Sequence, residues 1–468
     1  MSVIEPPAPT ASDRVSDWVA SVRFGDLPQD VVEQTALRVL DVMGLVLAGL
    51  GTPFGRSVRE AVLALNPSGP SRIFGRGDAT TIPGAAFANG ALSQALEFDD
   101  THNESIVHMS SPAVATAFAL AESKKVSGAD LITAIAIGNE ISCRVGSVSP
   151  GQFHRRGYHP TGLFATFGAT WLAGHMLGLS RAEMNNAAGI AGSFASGLLQ
   201  CWVDGTQSKF LHPGWSAQSG ITAATLGKCG TTGPAAVFEG RFGLFASHLQ
   251  DQSVPRDYAR ITEGFGEHWE SRNASFKPFP VAHVIHPYID ALLRLRAAHG
   301  IDPAKVERIT VPVAAYIVGI VCEPVAEKRR PRSDSHGRVS MQYTLAEALV
   351  LGRIDKDAYQ PESLSDPRIL NVADKVEITV DPSFPGPERF KGAVKIVMQD
   401  GTVHETVEEH NRGSAANPMA VADIVAKFDA NAADVLDASQ RQALVDAVLT
   451  LPKAKDAASV VGLTIGRR

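Results

Sequence analysis

Hydrophobic residues in the first half of the chain recur every three or four positions, the spacing of one buried helix face. From Asp30 to Leu50 this spacing holds, with Pro28 near the start and Gly49 near the end, where helices tolerate these residues. The same spacing, in segments rich in alanine and glycine, predicts further helices at Ala85–Leu96, Pro112–Ser123, Gly128–Val145, Gly162–Leu177, Arg181–Leu199 and Ser216–Leu226. The N-terminal half of the chain is therefore predicted to be helical.

The pattern changes to a period of two beyond Asn273, where β-branched residues recur at alternate positions. Such alternation indicates half-buried strands, here at Val306–Val313, Val376–Val380 and Ala393–Met398. Asp400-Gly401 then precedes a further alternating run, Thr402–Val407, as in a hairpin with an Asp-Gly turn. Helical spacing accompanies the strands and returns near the C-terminus, at Pro287–Ala298, Ser340–Leu351 and Ala420–Leu451.

These elements predict a fold that is mainly α with an α+β part. Residues 12–273 and 413–468 would form one large all-helical domain, and residues 274–412 a smaller α+β domain inserted into it. The length of 468 residues suits such a plan, since single domains usually contain roughly 100–200 residues. A chain of this size buries about three quarters of its unfolded surface, so its core needs no disulfide or metal.

Composition and charge narrow the classes of partner. With 43 basic and 49 acidic residues the net charge is −6, which does not favour binding to nucleic acid or to an anionic membrane. Cys143, Cys201, Cys229 and Cys322 lie far apart in the chain, which argues against a zinc ribbon, a thioredoxin motif and a clustered iron–sulfur site. Met1–Arg14 lacks the apolar core of a signal peptide, so we expect a cytoplasmic protein.

Charge is nearly absent from the middle of the chain. Tyr158–Ser180 has no charged residue and is long enough to span a bilayer, but its glycines and polar residues make its apolar density too low. Helices buried inside a soluble domain are predicted instead. His159 precedes Pro160 at the expected start of one of them, where the helix dipole lowers an imidazole pKa and favours a neutral base. A hydrogen-bonding role without chemistry is the alternative for this histidine.

The densest polar cluster of the sequence lies between two predicted core helices. It runs from Glu97 to Glu104 and is followed by His108, Ser110 and Ser111. Loops held between rigid elements often carry binding or catalytic residues, so this segment is a candidate site. Two other interpretations remain: a solvated loop with helix-capping Asp and Ser residues, and a divalent metal site, for which no motif such as H-E-x-x-H is present.

Lys209 is the only basic residue between Arg181 and Lys228, in a segment whose composition predicts burial. An unpaired buried amine costs several kcal/mol, so Lys209 must pair with an acid such as Asp204, reach solvent or bind an anion. The sequence has no P-loop, no G-x-S-x-G and no G-x-G-x-x-G that opens a helix after a strand. Phosphoryl transfer, serine hydrolysis and nicotinamide chemistry therefore have no support in it.

A series of short motifs along nearly the whole chain resembles the MmgE/PrpD family. That family includes 2-methylcitrate dehydratases, cis-aconitate decarboxylase and an iminodisuccinate epimerase. The motifs occur in the family's order, at Leu40–Gly44, Asn89–Ala91, Asp99–Thr101, His108, His159-Pro160, Thr206–Lys209, Phe238–Gly240, His286–Ala291, Gln342-Tyr343 and Asn417–Met419. No single motif is diagnostic, but the ordered series as a whole resembles the family closely.

The resemblance implies an all-helical domain built from both chain ends, a lid domain inserted into it, and a site between the two. It also implies a homodimer that binds a small di- or tricarboxylate and uses no metal or organic cofactor. The family's functional positions fall on Thr101, His108, His159, Lys209 and Tyr316. Glu97 stands where the family usually has aspartate, and His283 or Ala282 falls on a lid position that is histidine in some members.

We therefore expect a lyase that abstracts a proton next to a carboxylate and eliminates water from a hydroxy di- or tricarboxylate. His159 is the expected general base, because an imidazole can take and return a proton near pH 7. Lys209 and His108 would stabilise the negative charge that develops on the enediolate. Thr101 and Tyr316 would orient the substrate or donate to the leaving hydroxyl.

The acidic residues and the lid histidine are expected to support this chemistry. Glu97, Asp99 and Asp100 would orient the histidines and compensate Lys209 beside the substrate, and His283 would contact the substrate from the lid. The stretch around His283 lacks the arginine that dehydratase-like members often have there. An arginine can bind a carboxylate through two hydrogen bonds, so its absence weakens assignment to one specific tricarboxylate.

Three alternatives stay open. Epimerisation of an iminodisuccinate-like dicarboxylate needs a base on each face of one carbon, and His159 and Lys209 could fill those places. Decarboxylation of an unsaturated tricarboxylate such as cis-aconitate is the second, and a non-catalytic carboxylate-binding protein is the third. The acid–base set of His108, His159 and Lys209 argues against that last alternative.

Overall fold

The computed structural model describes residues 8–386 and 388–466. The predicted fold class, mainly α with an α+β part, is confirmed. The first part of the chain forms the helices α1 Ala11–Ser21, α2 Gln29–Leu50, α3 Pro53–Leu65, α4 Ile82–Gln94, α5 Ser110–Ala121, α6 Gly128–Gly146, α7 Gln152–Arg155, α8 Pro160–Leu177, α9 Arg181–Ala191, α10 Gln200–Asp204, α11 His212–Lys228 and α12 Leu244–Leu249. The middle part forms α13 His286–His299, α14 Val325–Arg329, α15 Asp334–Gly337, α16 Met341–Leu351, α17 Pro361–Leu364 and α18 Pro367–Asp374. The last part adds α19 Val421–Ala432, α20 Ala438–Leu449 and α21 Ser459–Leu463.

The strands are few and short. They are β1 Ser71–Arg72, β2 Ala79–Thr80, β3 Thr101–His102, β4 Ala274–Ser275, β5 Val306–Val313, β6 Val376–Val380, β7 Gly392–Met398 and β8 Val403–Glu408. One sheet has the order β6-β5-β7-β8, in which β5 and β6 are parallel and the other neighbours antiparallel. β7 and β8 form the predicted hairpin, and Gly401 in its turn has φ 85°, which favours glycine. β1 pairs with β2, and β3 pairs with β4, outside this sheet.

Buried apolar side chains form two large clusters, which assign the elements to two bodies. Both ends of the chain contribute to the larger cluster, which contains Val15, Trp171 and Phe428. The second cluster lies in the middle of the chain and contains Ile289 of α13 and Ile309 of β5. We call the first body the helical domain (α1–α12 and α19–α21) and the second the lid domain (α13–α18 and β5–β8).

The uncharged segment in the middle of the chain forms α8. All side chains from Pro160 to Gly174 are buried, and α8 packs against α6 and α11. In the described part of the chain, no single helix combines the length and the hydropathy needed to cross a bilayer. Only the pair α2 and α3, bent by 94°, meets those criteria jointly.

Most predicted helices agree with the structure to within four residues at each end, but two differ more widely. The helix predicted at Arg181–Leu199 ends early, as α9, and the chain that follows packs closely on α8. A Cβ at Gly162 of α8 would lie 2.1 Å from the carbonyl oxygen of Ser196, so this approach requires glycine. The segment predicted as one helix at Ala420–Leu451 is two helices, α19 and α20, and the side chain of Asp437 caps the second.

Candidate active site

The segment between α4 and α5 forms the centre of the candidate site. Its acidic residues are buried: Glu97, Asp99 and Asp100 are 3%, 0% and 2% exposed. Within this segment β3 pairs with β4, which connects it to the chain that enters the lid domain. Glu97 has φ 53°, in the left-handed region that residues other than glycine seldom occupy. The interpretation of this segment as a solvated loop is therefore wrong.

Two buried lysines contact Glu97. Nζ of Lys209 donates to Oε1 of Glu97, while Nζ of Lys277 donates to the backbone oxygen of Glu97 at 2.9 Å and lies 3.9 Å from Oε2. Burial alone would raise the pKa of the Glu97 carboxyl, but the charges of the two lysines hold that pKa below its ordinary value. Burial lowers the pKa of Lys277 to about 8. The alternative pairing of Lys209 with Asp204 is wrong, and Asp204 accepts a hydrogen bond from Gln200.

Asp100 is held by a cation and a hydroxyl from neighbouring helices. Its Oδ2 accepts from Arg38 of α2 and from Oγ of Ser110 of α5, both at 2.6 Å. Its backbone oxygen lies 2.8 Å from Nδ1 of His108. The charge of the Asp100 side chain is therefore compensated within the protein, while its backbone positions a histidine.

Asp99 is fully buried, and no lysine or arginine among the described residues lies within 4 Å of its carboxyl. Its Oδ2 accepts from Oγ of Ser111 at 2.9 Å and from Nε2 of Gln94 at 3.2 Å, and its Oδ1 lies 3.4 Å from Nδ1 of His108. Burial raises the pKa of Asp99 to about 7, against the opposing charge of Lys277. A carboxyl with this pKa can exchange a proton at neutral pH.

The hydrogen bonds of His108 leave its Nε2 unprotonated. Nδ1 lies 2.8 Å from the Asp100 carbonyl, which can only accept, so the proton is assigned to Nδ1; Oγ1 of Thr101 lies 3.3 Å from the same nitrogen and Oδ1 of Asp99 lies 3.4 Å from it. Burial, and then the charge of Lys209, lower the pKa of the ring well below its usual value. The ring is therefore neutral at pH 7, and Nε2 has a free lone pair.

His159 precedes α8, and its ring centroid lies 5.5 Å from that of His108. The backbone N–H of His159 donates to the carbonyl of Gly197 at 3.0 Å, and its Nδ1 lies 2.9 Å from Nδ1 of His212. Nε2 is buried without a hydrogen-bond partner among the described residues. Burial first, and then the charge of Lys209, lower the pKa of His159 well below its usual value. A neutral ring with an unpartnered nitrogen can accept or donate a proton there.

His283 brings an imidazole of the lid domain to the cluster, whereas the neighbouring Ala282 has no polar side chain. The amide nitrogen of Asn411 donates to Nε2 of His283 at 2.9 Å, so Nδ1 carries the proton. This Nδ1 is buried without a partner among the described residues. Burial, and then the charges of Lys277 and His108, lower the pKa of His283 well below its usual value.

Tyr316 lies apart from the cluster, in the wall of a cavity of about 510 Å³. Trp202 and His154 of the helical domain line the same cavity, and the centre of the Trp202 ring lies 5.6 Å from Nζ of Lys209. Among the hydrogen bonds of the described residues, none joins Tyr316 to the histidines or lysines of the cluster. The cavity therefore lies on the side of the cluster where Lys209 is placed.

Sequence reasoning missed two residues that the structure places in the cluster, Lys277 and His212. Lys277 is a lone cation between Phe276 and Pro278, which is the same signal that singled out Lys209. His212 precedes a proline at a helix start, just as His159 does. Within residues 8–386 and 388–466, no three histidine, cysteine, aspartate or glutamate side chains are placed to hold a metal ion together.

Both parts of the chain match models of known protein families. The MmgE/PrpD N-terminal domain matches residues 13–257, and the MmgE/PrpD C-terminal domain matches residues 279–451. The chain belongs to the MmgE/PrpD family. One relative in this family is the cis-aconitate decarboxylase-like protein oryM of Aspergillus oryzae, 26% identical with 98% of both chains covered.

Further relatives of this MmgE/PrpD protein carry the names of two different activities. Human cis-aconitate decarboxylase is 26% identical, with 96% of this chain and 93% of the human chain covered. The 2-methylcitrate dehydratase of Escherichia coli is 25% identical, with 94% of both chains covered. These relatives are enzymes whose names specify small carboxylates as substrates.

Proposed function

We propose that this MmgE/PrpD protein is a lyase for a small di- or tricarboxylate. The observation that carries the proposal is an excess of positive charge in the buried cluster. Lys209 and Lys277 together face one carboxylate, Glu97, while Asp100 is compensated by Arg38. A buried charge without a counter-ion is strongly unfavourable, so an anion that enters beside the second lysine gains an ion pair. The carboxylate groups of a substrate meet this requirement.

The remaining carboxyl of the cluster, that of Asp99, cancels only part of that charge. With a pKa of about 7, Asp99 is about half protonated at pH 7, whereas Lys277, with a pKa of about 8, is mostly protonated. A bound anion would raise the pKa of Lys277 further, because a nearby opposite charge favours the ammonium form. Carboxylate binding and protonation of Lys277 therefore support each other.

His159 is our candidate for the general base. Abstraction of a proton next to a carboxylate produces an enediolate, whose negative charge needs cations and hydrogen-bond donors nearby. Lys209 and Lys277 supply the cations, and the neutral ring of His159 supplies Nε2 as the base. His108, with its ring centroid 5.5 Å from that of His159, is close enough to contact the same substrate.

Dehydration of a hydroxy di- or tricarboxylate is the reaction that we propose first. Elimination of water needs a base and also a proton donor for the departing hydroxyl. The hydroxyl of Thr101, 3.3 Å from Nδ1 of His108, and that of Tyr316 in the cavity wall are the candidates. The E. coli relative is named for 2-methylcitrate, which is a hydroxy tricarboxylate.

Decarboxylation of cis-aconitate is the second candidate, and it is favoured because two of the three relatives described above carry its name. These two, the oryM protein and the human enzyme, cover 98% and 96% of this chain. Loss of CO₂ also leaves negative charge on carbon, which the same lysines would stabilise and a histidine would protonate. The two candidate reactions therefore make the same demands on the buried cluster.

NMR spectroscopy of the purified protein in D₂O, incubated with 2-methylcitrate and separately with cis-aconitate, distinguishes these reactions. Dehydration converts 2-methylcitrate into an unsaturated tricarboxylate, and decarboxylation converts cis-aconitate into an unsaturated dicarboxylate and CO₂. Deuterium exchange into a carboxylate without net conversion would favour an epimerase. Binding without conversion or exchange would contradict a lyase and favour a carboxylate-binding protein.

Two variants at opposite ends of α8 control this experiment. His159→Asn removes the candidate base, so we expect turnover to fall roughly 10²- to 10⁴-fold. His175 lies in the last turn of the same helix, where its Nδ1 contacts the carbonyl of Val19 at 3.2 Å. His175→Asn should keep the activity of the natural sequence. Equal activities of the two variants would contradict the role assigned to His159.

We also propose that the protein is a homodimer, as its family resemblance implies. Sedimentation velocity should then give a species of twice the 49.5 kDa chain mass. A sedimenting species of the single-chain mass at micromolar concentration would contradict the dimer.

A further inference from the structure

Two histidines contact each other, nitrogen to nitrogen, at the edge of the candidate site. His159 precedes α8 and His212 is the first residue of α11, and their Nδ1 atoms lie 2.9 Å apart. This contact is a hydrogen bond only when one Nδ1 carries a proton and the other does not. The pair therefore has two tautomeric states with the same net charge.

The two states give His159 opposite chemical roles. When Nδ1 of His159 donates to His212, the buried Nε2 of His159 has a lone pair and can accept a proton. When Nδ1 of His212 donates to His159, the same Nε2 carries a hydrogen and can give it away. Conversion of His159 from a base into an acid thus takes three proton movements: Nε2 of His159 gains a proton, the shared proton moves along the 2.9 Å contact to Nδ1 of His212, and Nε2 of His212 releases its proton.

The other side of His212 borders a space distinct from the cavity that Tyr316 lines. The ring lies in the wall of a surface cleft of about 1140 Å³, together with Trp215 and Leu198, whose side chains are 38% and 63% exposed. His212 itself is half-buried. The imidazole therefore connects the buried nitrogen of His159 with the protein surface.

Both rings are positioned by one short backbone segment. The carbonyl of Gly197 accepts from the backbone N–H of His159 at 3.0 Å, and a Cβ at Gly197 would lie 3.2 Å from Nδ1 of His212. Gly197 has φ 145°, a conformation that L side chains rarely adopt. The geometry of the pair is thus determined by the backbone that surrounds it.

We propose that His212 is a positioning residue that lets His159 exchange between its two tautomers and relays protons between His159 and the surface cleft. The inference rests on the proposed function, in which His159 takes the substrate proton. That proton bonds to Nε2 of His159, the Nδ1–H bond of His159 breaks as Nδ1 of His212 gains its proton, and the Nε2 proton of His212 passes to water. Both rings are neutral before and after, and the reverse sequence returns the proton.

The charges around the pair favour passing a proton on over storing it. Burial and the charge of Lys209 lower the pKa of His212 to about 4. Burial, Lys209, His212, His108 and His154 all lower the pKa of His159. Neither ring keeps two protons at pH 7, so a proton that arrives at one nitrogen must leave from another.

Substitutions of His212 separate a relay from simple positioning. The asparagine amide in His212→Asn can hydrogen-bond to Nδ1 of His159 but cannot pass a proton through. We therefore expect kcat for the converted carboxylate to fall roughly ten- to hundredfold, with KM within about twofold of the natural value. In His212→Gly, added imidazole should restore turnover, whereas 1-methylimidazole, with one nitrogen blocked, should not. His175→Asn is the matched control at the other end of α8. Unchanged kcat in H212N, or equal rescue by both compounds, would overturn the relay.

A second measurement tests the relay without any substrate. In protein labelled with ¹⁵N-histidine, long-range ¹H–¹⁵N couplings report which nitrogen of His159 carries the proton. We expect both tautomers in exchange in the natural sequence and a single tautomer in H212N. One fixed tautomer that H212N leaves unchanged would overturn the relay. Tautomer exchange in a protein that converts neither carboxylate would contradict the proposed function and leave the relay supported.

Discussion

Lys209 and Glu97 form an ion pair in which each side chain is 4% exposed. Removing one partner of a buried pair costs about 3–5 kcal/mol, because the other charge stays buried without compensation. We therefore expect Glu97→Gln, which leaves both buried lysines without their shared carboxylate, to lower the free energy of unfolding by about this amount. The double variant E97Q/K209M keeps only one of the two lysines, Lys277, and should recover part of the stability and none of the activity.

Chemical unfolding monitored by circular dichroism measures the free energies of unfolding of these variants. Lys228→Met, at an exposed position of α11, is the control and should change the free energy of unfolding by less than about 0.5 kcal/mol. A double variant no more stable than E97Q would show that the uncompensated charge of Lys209 is not what destabilises the single variant.

Asp99 makes stability depend on pH in an unusual direction. Its folded pKa of about 7 lies above the ordinary value of about 3.9, so the folded protein binds this proton more tightly. Its contribution is complete below pH 4 and is lost as the pH rises to 7. The free energy of unfolding should therefore fall between about pH 4 and pH 7. Asp99→Asn, which mimics the protonated form, should remove this loss.

Unfolding of the natural sequence and D99N at pH 4.5, 6 and 8 tests this expectation. The advantage of D99N should grow with pH across the series. The pKa of Asp30 is lowered by its hydrogen bond to Arg272, so the ionised form stabilises the folded protein. Asp30→Asn should therefore be less stable than the natural sequence above pH 4, the opposite of D99N. A difference between D99N and the natural sequence that does not change with pH would contradict the raised pKa.

The candidate site was predictable where a residue is unusual for its surroundings. Lys209 stands out because charge is absent around it, and His159 because it precedes a proline at a helix start. The same two signals apply to Lys277 and His212, so the sequence contained the means to find these residues as well. Asp204 was a plausible partner of Lys209 because it is near in the sequence. The actual partner, Glu97, is 112 residues away along the chain and comes close only in the folded structure.

At the scale of helices and strands, the close approach of α4 and α11 requires a glycine, Gly214. A Cβ at Gly214 would lie 2.3 Å from the carbonyl oxygen of Phe87 and 3.0 Å from the backbone nitrogen of Ala91. Gly214→Ala must therefore move α11 away from α4 and displace His212, two residues earlier. We expect a loss of about 1–3 kcal/mol, measured by chemical unfolding, and lower turnover.

The control for this substitution is a helical glycine with open space around it. Nothing lies within 4 Å of a Cβ at Gly462 in α21. Because alanine favours a helix by up to about 1 kcal/mol over glycine, Gly462→Ala should be neutral or stabilising. Equal effects of G214A and G462A would contradict the steric argument.

Helices and strands are predicted accurately where neighbouring residues alone determine them, and less accurately where contacts with distant residues do. β5 and β6 have the residues predicted, because alternation of β-branched side chains defines a strand by itself. The helix predicted through Leu199 ends early because the following residues pack against Gly162 of α8, a contact that periodicity does not reveal. By contrast, the Thr10–Asp13 capping box of the unpredicted α1 is a local signal that the sequence does contain.

At the scale of the whole molecule, three consecutive carbonyl groups tie the candidate site to the rest of the protein. Each accepts a hydrogen bond from a buried cation: Leu96 from Arg338, Glu97 from Lys277 and Phe98 from Lys427. Arg338 belongs to the lid domain and Lys427 to α19 of the helical domain. A ligand that pairs with Lys277 and Lys209 would therefore add to contacts between separate parts of the chain.

Ligand binding at this position should stabilise the whole protein. A ligand that binds only the folded state adds about 2.7 kcal/mol at 100 times its Kd, which for a chain of this size raises Tm by about 3 °C. We expect 2-methylcitrate or cis-aconitate to produce this shift, and acetate at equal ionic strength to produce none. Lys209→Met should lose the shift, because Glu97 then balances the remaining lysine, Lys277. An equal shift in K209M, measured by calorimetry at one scan rate, would place the carboxylate away from Lys209.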